Sequence, residues 1–426
     1  MDKLINRVKN IFMSKWILFV IIIFATGIFW RNSDNDFQFD SESLVISMVT
    51  AGRYNFDIGN RQFGLGEIAT IEGDAYEVHA NPTLYDNSIS EREQQIGLQG
   101  WVFYFITWIG VPGALSISRL LCCLALAIVL TLICYELKKR YGLLFAGSFF
   151  IVSISSSWIT NFAPNLYWVT FTWFIPMLLG LICLNNLNKR LWLYPVFFLA
   201  ILIRAACGYE YITVIMLSSI MFLVVEWLCA IKRDKQHSKL LFRTIFMVGI
   251  MSLLGFVVAI LIHSYMRGDG NVLSGLNAIY RQDVSRRTFG NAEDFYAIYT
   301  SSLNASIVDV LIIYLGIDYA GMLARRLLTS AAAIFFFKHI VKRQALNTEF
   351  WLLVVSFSAC ISWFVLAKSH SYLHPHMNYV MWYLGFIQVS VYLMIKAIMQ
   401  LAFSDKGKQL LRDLVQRLRK EVYLDI

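Results

Sequence analysis

The apolar residues of this chain fall in blocks of about 20, the length a helix needs to cross a bilayer core, and this limits its fold more than any other feature. Candidate spans lie near 12–30, 114–135, 142–160, 166–184, 191–208, 211–231, 244–264, 320–337, 350–368 and 378–400. The pattern predicts an all-α polytopic membrane protein with about ten transmembrane helices. Composition agrees: of 426 residues, 58% are apolar and 15% charged, whereas a soluble domain carries roughly a quarter charged residues. So few charges exclude a disordered chain, a secreted disulfide scaffold and an ordinary cytosolic enzyme. Val308–Leu315 is either the start of the eighth span or a separate re-entrant piece. No internal repeat is visible, which counts against transporter folds built from inverted halves.

The net charge of +9 comes from 37 Lys and Arg against 28 Asp and Glu. These basic residues sit in short clusters between apolar blocks. A nucleic-acid site would need a contiguous basic face, so no nucleic-acid partner is expected. Lys3, Arg7, Lys9 and Lys15 precede the first span and place the N-terminus in the cytoplasm by the positive-inside rule. Two-span steps then put Lys138–Arg140, Lys189–Arg190, Lys232–Lys239, Lys338–Arg343 and the C-terminal tail on that side as well. A multi-pass protein of the plasma (inner) membrane is the expectation, with residues 1–403 as one transmembrane domain. Segment 404–426 follows as a basic amphipathic helix on the inner leaflet. The seven cysteines all lie in or beside apolar blocks without a CxxC, and read as small membrane hydrophobes.

The side opposite the basic loops carries the unusual material. Residues 31–98 form a long loop with twelve Asp or Glu against four Arg, and a second long loop runs over 264–305. Leu44, Val45, Met48 and Val49 make an apolar stripe at helical spacing, which predicts a helix lying on the membrane surface over 41–52. Gly100–Gly110, GWVFYFITWIG, is too short to span and is expected in the interface.

Phe39-Asp40-Ser41-Glu42-Ser43 opens the first of these helices. Two carboxylates there can supply a general base, Asp40, and a partner that orients it, Glu42; the plainer reading is an N-cap with Glu42 in the first turn. Charges at or inside the membrane are costly and default to functional candidates. These are Arg119 near the second span's outer end, Arg204 and Glu210 about the fifth, and the adjacent Arg325 and Arg326 on the eighth. Arg204 and Glu210 can equally pair with each other. An Arg pair suits a phosphate, because guanidinium groups grip its oxygens bidentately. Lys368, His370, His374 and His376 form a cationic cluster before the last span, and Arg286 and Arg287 lie in the late loop. H-x-H with a third histidine could ligate a metal; with no cysteine beside it, anion binding is preferred. No cofactor follows from these residues, although a divalent cation is compatible with them.

The order of these features resembles a known group. One span, an outer loop opening on FDSES, an interfacial aromatic segment and then GVPGALSISRLLCCLALAIVLTLICYELKKRYG look like the N-terminal module of GT-C-fold integral membrane glycosyltransferases, including protein O-mannosyltransferase and aminoarabinose transferase relatives. The resemblance covers roughly residues 10–185. It implies a catalytic carboxylate at Asp40, with Glu42 beside it, and the G-x(5)-R-L-L stretch at Arg119 matches in position. One departure is that the loop before the fourth span, Asn161-Phe-Ala-Pro164-Asn165, lacks the second acidic residue of many relatives. The expectation is an inverting transfer of a sugar from a polyprenyl-phosphate donor to a glycan, lipid or protein acceptor on the outer face. Competing readings are a transporter or flippase for lipid-linked sugars, a polysaccharide ligase or polymerase, and a non-enzymatic assembly partner.

Overall fold

The computed structural model describes residues 15–32, 41–316, 319–343 and 347–403. Asp40 and the basic 404–426 segment lie outside them. The chain is an all-α polytopic membrane protein. Six of its helices are long and apolar enough to cross a bilayer, or up to eight if each of two bent pairs is one span, among the described residues. The six are α5 (Ala114–Tyr141), α9 (Arg190–Cys207), α10 (Ile212–Ala230), α11 (Lys235–Arg267), α15 (Tyr319–Phe336) and α16 (Thr348–Leu366). Three of the expected spans are shorter apolar helices: α1 (Lys15–Arg31), α6 (Leu143–Ser155) and α8 (Phe171–Asn185). The last expected span is bent by 50° between Pro375–Tyr383 and α18 (Phe386–Ala402).

Helix contacts in the bundle are close where side chains are small. Lipid is as apolar as leucine, so small residues that let backbones approach supply much of the packing. A Cβ on Gly180 of α8 would sit 2.2 Å from the Ser219 carbonyl of α10, and one on Gly255 of α11 would sit 2.4 Å from the Phe198 carbonyl of α9. α10 is the hub, packing on α8, α11 and α16. The basic connections gather at one end of the bundle. There Arg140 pairs with Glu226, Lys139 and Asn185 meet Glu136 at 2.7 Å, and Lys396 pairs with Glu349. Glu226 and Lys396 are thus ion-paired.

At the opposite end the long loop is folded. α2 (Ser43–Tyr54) forms where the apolar stripe predicts it, but it does not lie on a surface: Val45 through Gly52 are all buried. Three elements cover it. They are α4 (Leu98–Trp108), an antiparallel hairpin of β1 (Gly66–Thr70) and β2 (Tyr85–Glu91), and α3 (Ala75–Ala80) between the strands. Ser47 and Thr50, polar residues on the helix's other faces, are therefore buried too; Ser47 Oγ accepts from Ile68 N at 3.1 Å. The hairpin is an addition to the all-α expectation, in strands that are mostly polar on both faces. Helix α3 starts at a capping box between Asp74 and Glu77.

His79 locks α3 to α2. Its Nε2 lies 3.0 Å from an Arg53 guanidinium nitrogen, and its Nδ1 lies 3.0 Å from Thr50 Oγ1. Arginine only donates, so Nε2 must accept, leaving the proton on Nδ1 for Thr50. Burial and the Arg53 charge lower the imidazole to about 4. Between this value and the ordinary histidine value the unfolded chain binds a proton that the folded chain refuses, so stability falls with falling pH across that window. Melting in lipid nanodiscs from pH 7 to pH 4 should show this loss, and His79→Gln should flatten it.

The late loop carries α12 (Val272–Ala278) and α13 (Thr300–Asn304), and α14 (Ile307–Gly316) follows it. The latter bends by 90° from the helical turns over Ala297–Asn304. Tyr314 Oη donates to the Ser371 carbonyl at 2.7 Å, and the Trp382 indole donates to the Tyr314 carbonyl at 3.1 Å. These bonds tie α14 to the segment that carries Ser371 and Trp382.

Candidate functional site

The chain enters α2 through Ser41, whose left-handed φ of 63° is uncommon for a residue with a side chain. That turn points Glu42 inward, where it is fully buried. Its carboxylate accepts from Tyr76 Oη at 2.7 Å, from an Arg119 guanidinium nitrogen at 2.7 Å and from the Leu166 backbone N–H at 2.8 Å. Tyr76 is held as a protonated donor, because burial and the neighbouring carboxylate both raise its pKa. Glu42 thus ties α2, α3, α5 and the connection before α8 into one unit. It fixes the position of Ser41, and through it the chain that follows Asp40.

Ser41 stands in the wall of a cavity of about 260 Å³. Around it are Arg92, Gln94 and Gln95 from the end of the hairpin, Tyr167 and Trp168, Glu210, Arg286 and Arg287, and His370 and His374 on and after α17 (Lys368–Leu373). Glu210 is 4% exposed. Its Oε1 faces Arg287 at 3.4 Å and Tyr167 Oη at 3.5 Å, whereas Oε2 has no hydrogen-bond partner. Burial works against the Arg287 charge, but Glu210 and Asp283 outweigh it and raise the guanidinium pKa. Arg286 donates to Tyr299 Oη at 2.8 Å and lies 3.7 Å from Asp283.

The His370 ring lies tilted against His374 at 4.9 Å and meets Trp363 edge to face at 5.8 Å. Burial, then Arg287, His374 and Arg286, push its pKa well below the usual histidine range. It is therefore a neutral hydrogen-bonding group at physiological pH, and the fixed positive charge of the cavity comes from the arginines.

Two sequence candidates serve as supports beneath this cavity. Arg204 is 1% exposed and donates to the Trp168 carbonyl at 3.3 Å and the Glu210 carbonyl at 3.2 Å, so it holds both wall segments. The expected Arg204–Glu210 contact is made through the glutamate's backbone. Lys368 spends its ammonium on the Leu303 and Ala305 carbonyls, both at 2.6 Å, closing the end of α13. Of the remaining candidates, Arg119 pairs with Glu42 at 2.7 Å, and His376 is exposed with its carbonyl bonded to the Trp158 indole. Arg325 and Arg326 are exposed on α15 and take no part in the cavity lining.

The structure thus brings together Glu210, Arg286, Arg287, His370 and His374, which lie far apart in the chain. It adds Arg92, Gln94, Gln95, Tyr167, Trp168 and Tyr299, which carried no motif. The run Glu91-Arg92-Glu93-Gln94-Gln95 just before an apolar helix is the one sequence signal for Arg92, Gln94 and Gln95. Backbone strain marks the same wall: Val169, beside Trp168, has a φ of 39°, a conformation costly for a β-branched residue. Among the described residues no group of three or more His, Cys, Asp and Glu side chains could hold a metal ion.

Comparison with family models, with curated proteins and with solved structures finds no match to this chain. The site's chemistry therefore rests on its own geometry. Arginines offer charge and a two-pronged grip to an anion. Glu210 Oε2 and Gln94 Oε1, both buried and unpartnered, offer acceptors to hydroxyl donors, and an orphaned buried polar atom calls for a partner.

Proposed function

We propose that this chain is a membrane glycosyltransferase of the GT-C type that moves a sugar from a polyprenyl-phosphate donor to an acceptor on the outer face of the membrane. The observation that carries this reading is the convergence of the Arg286–Arg287 pair with the unpartnered Glu210 oxygen in one cavity walled by Ser41, the residue after Asp40. A sugar phosphate presents both halves of that chemistry: an anion for the arginines and hydroxyls for Glu210 and Gln94. The volume suits a head group of one sugar and one phosphate, just under the roughly 300–1,000 Å³ typical of drug-sized ligands.

In the proposed step Asp40 takes the proton of the acceptor hydroxyl, and the acceptor oxygen attacks the anomeric carbon from the face opposite the phosphate. The bond from that carbon to the phosphate oxygen breaks, the configuration inverts and polyprenyl phosphate leaves. Arg286 and Arg287 stabilise the charge gathering on the leaving phosphate. His370 and His374 donate hydrogen bonds there, while Glu42, Arg119, Arg204 and Lys368 hold the walls. Arg325 and Arg326, exposed on α15 and outside the cavity lining, would on this reading meet a membrane lipid rather than the head group. The basic end of the bundle is then cytoplasmic.

The test is transfer from a lipid-linked sugar in vitro. General-base catalysis contributes about 10²–10⁴-fold, so Asp40→Asn should lower turnover by at least about 10² with the melting temperature unchanged. Unaltered transfer by this variant would remove Asp40 from the chemistry.

A further inference from the structure

A second and larger hollow adjoins the first. It has a volume of about 1,280 Å³, is formed mainly by the late loop, and shares Gln94, Arg286 and Tyr299 as a common wall with the smaller cavity. Three of its lining residues carry exposed aromatic rings: Tyr280 is 63% exposed, Phe289 58% and Tyr296 84%. Rings this exposed contribute little to the fold, and keeping three of them around one hollow asks for a ligand with its own apolar faces. The same hollow is lined by planar hydrogen-bonding groups, the carboxylates of Glu293 and Asp294 and the amides of Gln282 and Asn291, whose oxygens accept from Arg267 and from the Glu293 N–H. Exposed rings together with amides and carboxylates in one hollow match a carbohydrate, whose C–H faces stack on rings while its hydroxyls bond in the ring plane.

The charges narrow the class. Arg281 and Arg286 are opposed in the same hollow by Asp283, Glu293 and Asp294, and Asp283 is itself tied to Arg267 and Arg286. A lining so nearly balanced has no field to draw an acidic polymer. Its exposed acids also disfavour a seat for anionic lipid head groups, the other surface on which aromatic residues collect. We infer that this hollow is the acceptor cleft and that it binds a neutral oligosaccharide of several units, its end delivered to the smaller cavity past Arg286 and Tyr299. The volume exceeds the roughly 1,000 Å³ upper range of drug-sized sites, as several sugar units require. This inference rests on the glycosyltransferase reading for the cleft's purpose, while the binding itself is measurable without any transfer.

The full chain in lipid nanodiscs, free of glycosidic detergent, is applied to an array of neutral and acidic oligosaccharides. Native protein should bind neutral chains of three or more units. Tyr280→Ala combined with Tyr296→Ala should weaken that binding at least fivefold, and Tyr280→Phe combined with Tyr296→Phe, which keeps both rings, should retain most of it. The double variant should retain any co-purified polyprenyl phosphate, so loss of glycan binding alone separates this cleft from the donor cavity. No binding to any neutral oligosaccharide, a preference for acidic ones, or binding indifferent to the double substitution would overturn the inference. So would quenching of Tyr280 and Tyr296 fluorescence by brominated lipid, which would place the rings in the bilayer.

Discussion

Glu42→Ala should unfold the loop end of this protein at a markedly lower temperature. The substitution leaves Arg119, 9% exposed, without its carboxylate, and also orphans the Tyr76 hydroxyl and the Leu166 N–H. Removing one member of a buried pair strands the other charge, typically at a cost of about 3–5 kcal/mol. The pair itself is a weaker source of stability than that figure suggests, because both ions were desolvated to make it. Arg119→Met added to Glu42→Ala should therefore recover part of the loss, and the double variant should be more stable than the sum of the singles. Melting in nanodiscs, followed by tryptophan emission, measures this. Equal melting of native protein and Glu42→Ala would show that the carboxylate is not the tie between α2, α3 and α5.

The second large effect is expected at Arg287. Its guanidinium faces both the Glu210 carboxylate and the cavity, so Arg287→Ala removes the charge that would steady a departing phosphate. Loss of one such electrostatic donor costs about 10²–10³ in turnover, and transfer should fall by that amount. Arg287→Lys should retain an intermediate rate, since a lysine keeps the charge and loses the two-pronged grip. Glu210→Gln in the Arg287→Ala background removes the stranded carboxylate. It should restore thermal stability without restoring transfer, which separates the two roles of the arginine. Native rates in a folded Arg287→Ala protein would exclude it from phosphate stabilisation.

The class of this fold was legible in the sequence because a bilayer demands long apolar runs, and α5, α10, α11 and α16 lie where those runs are. Two runs are shorter as helices than as apolar blocks. α6 stops at Ser155, where Ser156 turns the chain and caps the next short helix, and the block over 166–184 becomes helical only at Phe171. The apolar stripe of α2 announced a helix but not its burial, which depends on a hairpin whose strands, GEIAT and YDNSISE, alternate too weakly to read. At the site, Glu210 and the histidines stand out as charged or polar groups at span ends, and Arg286 and Arg287 as cations of the late loop. What charge alone could not tell was which cations are already committed. The partners of Lys368 and Arg204 are backbone carbonyls, and of these only Glu210's is contributed by another candidate. Arg92, Gln94 and Gln95 looked like ordinary loop residues until the hairpin returned them to the cavity wall.

The central claim is that a polyprenyl-phosphate-linked sugar occupies the cavity walled by Ser41, Glu210 and Arg287. Native mass spectrometry of the protein extracted in its own lipids tests this most directly. The account predicts a bound polyprenyl phosphate or its sugar ester, retained by Tyr280→Ala and Tyr296→Ala and lost on Arg286→Glu with Arg287→Glu. Protein that carries no such lipid, or carries it equally after the charge reversal in a folded chain, would contradict it.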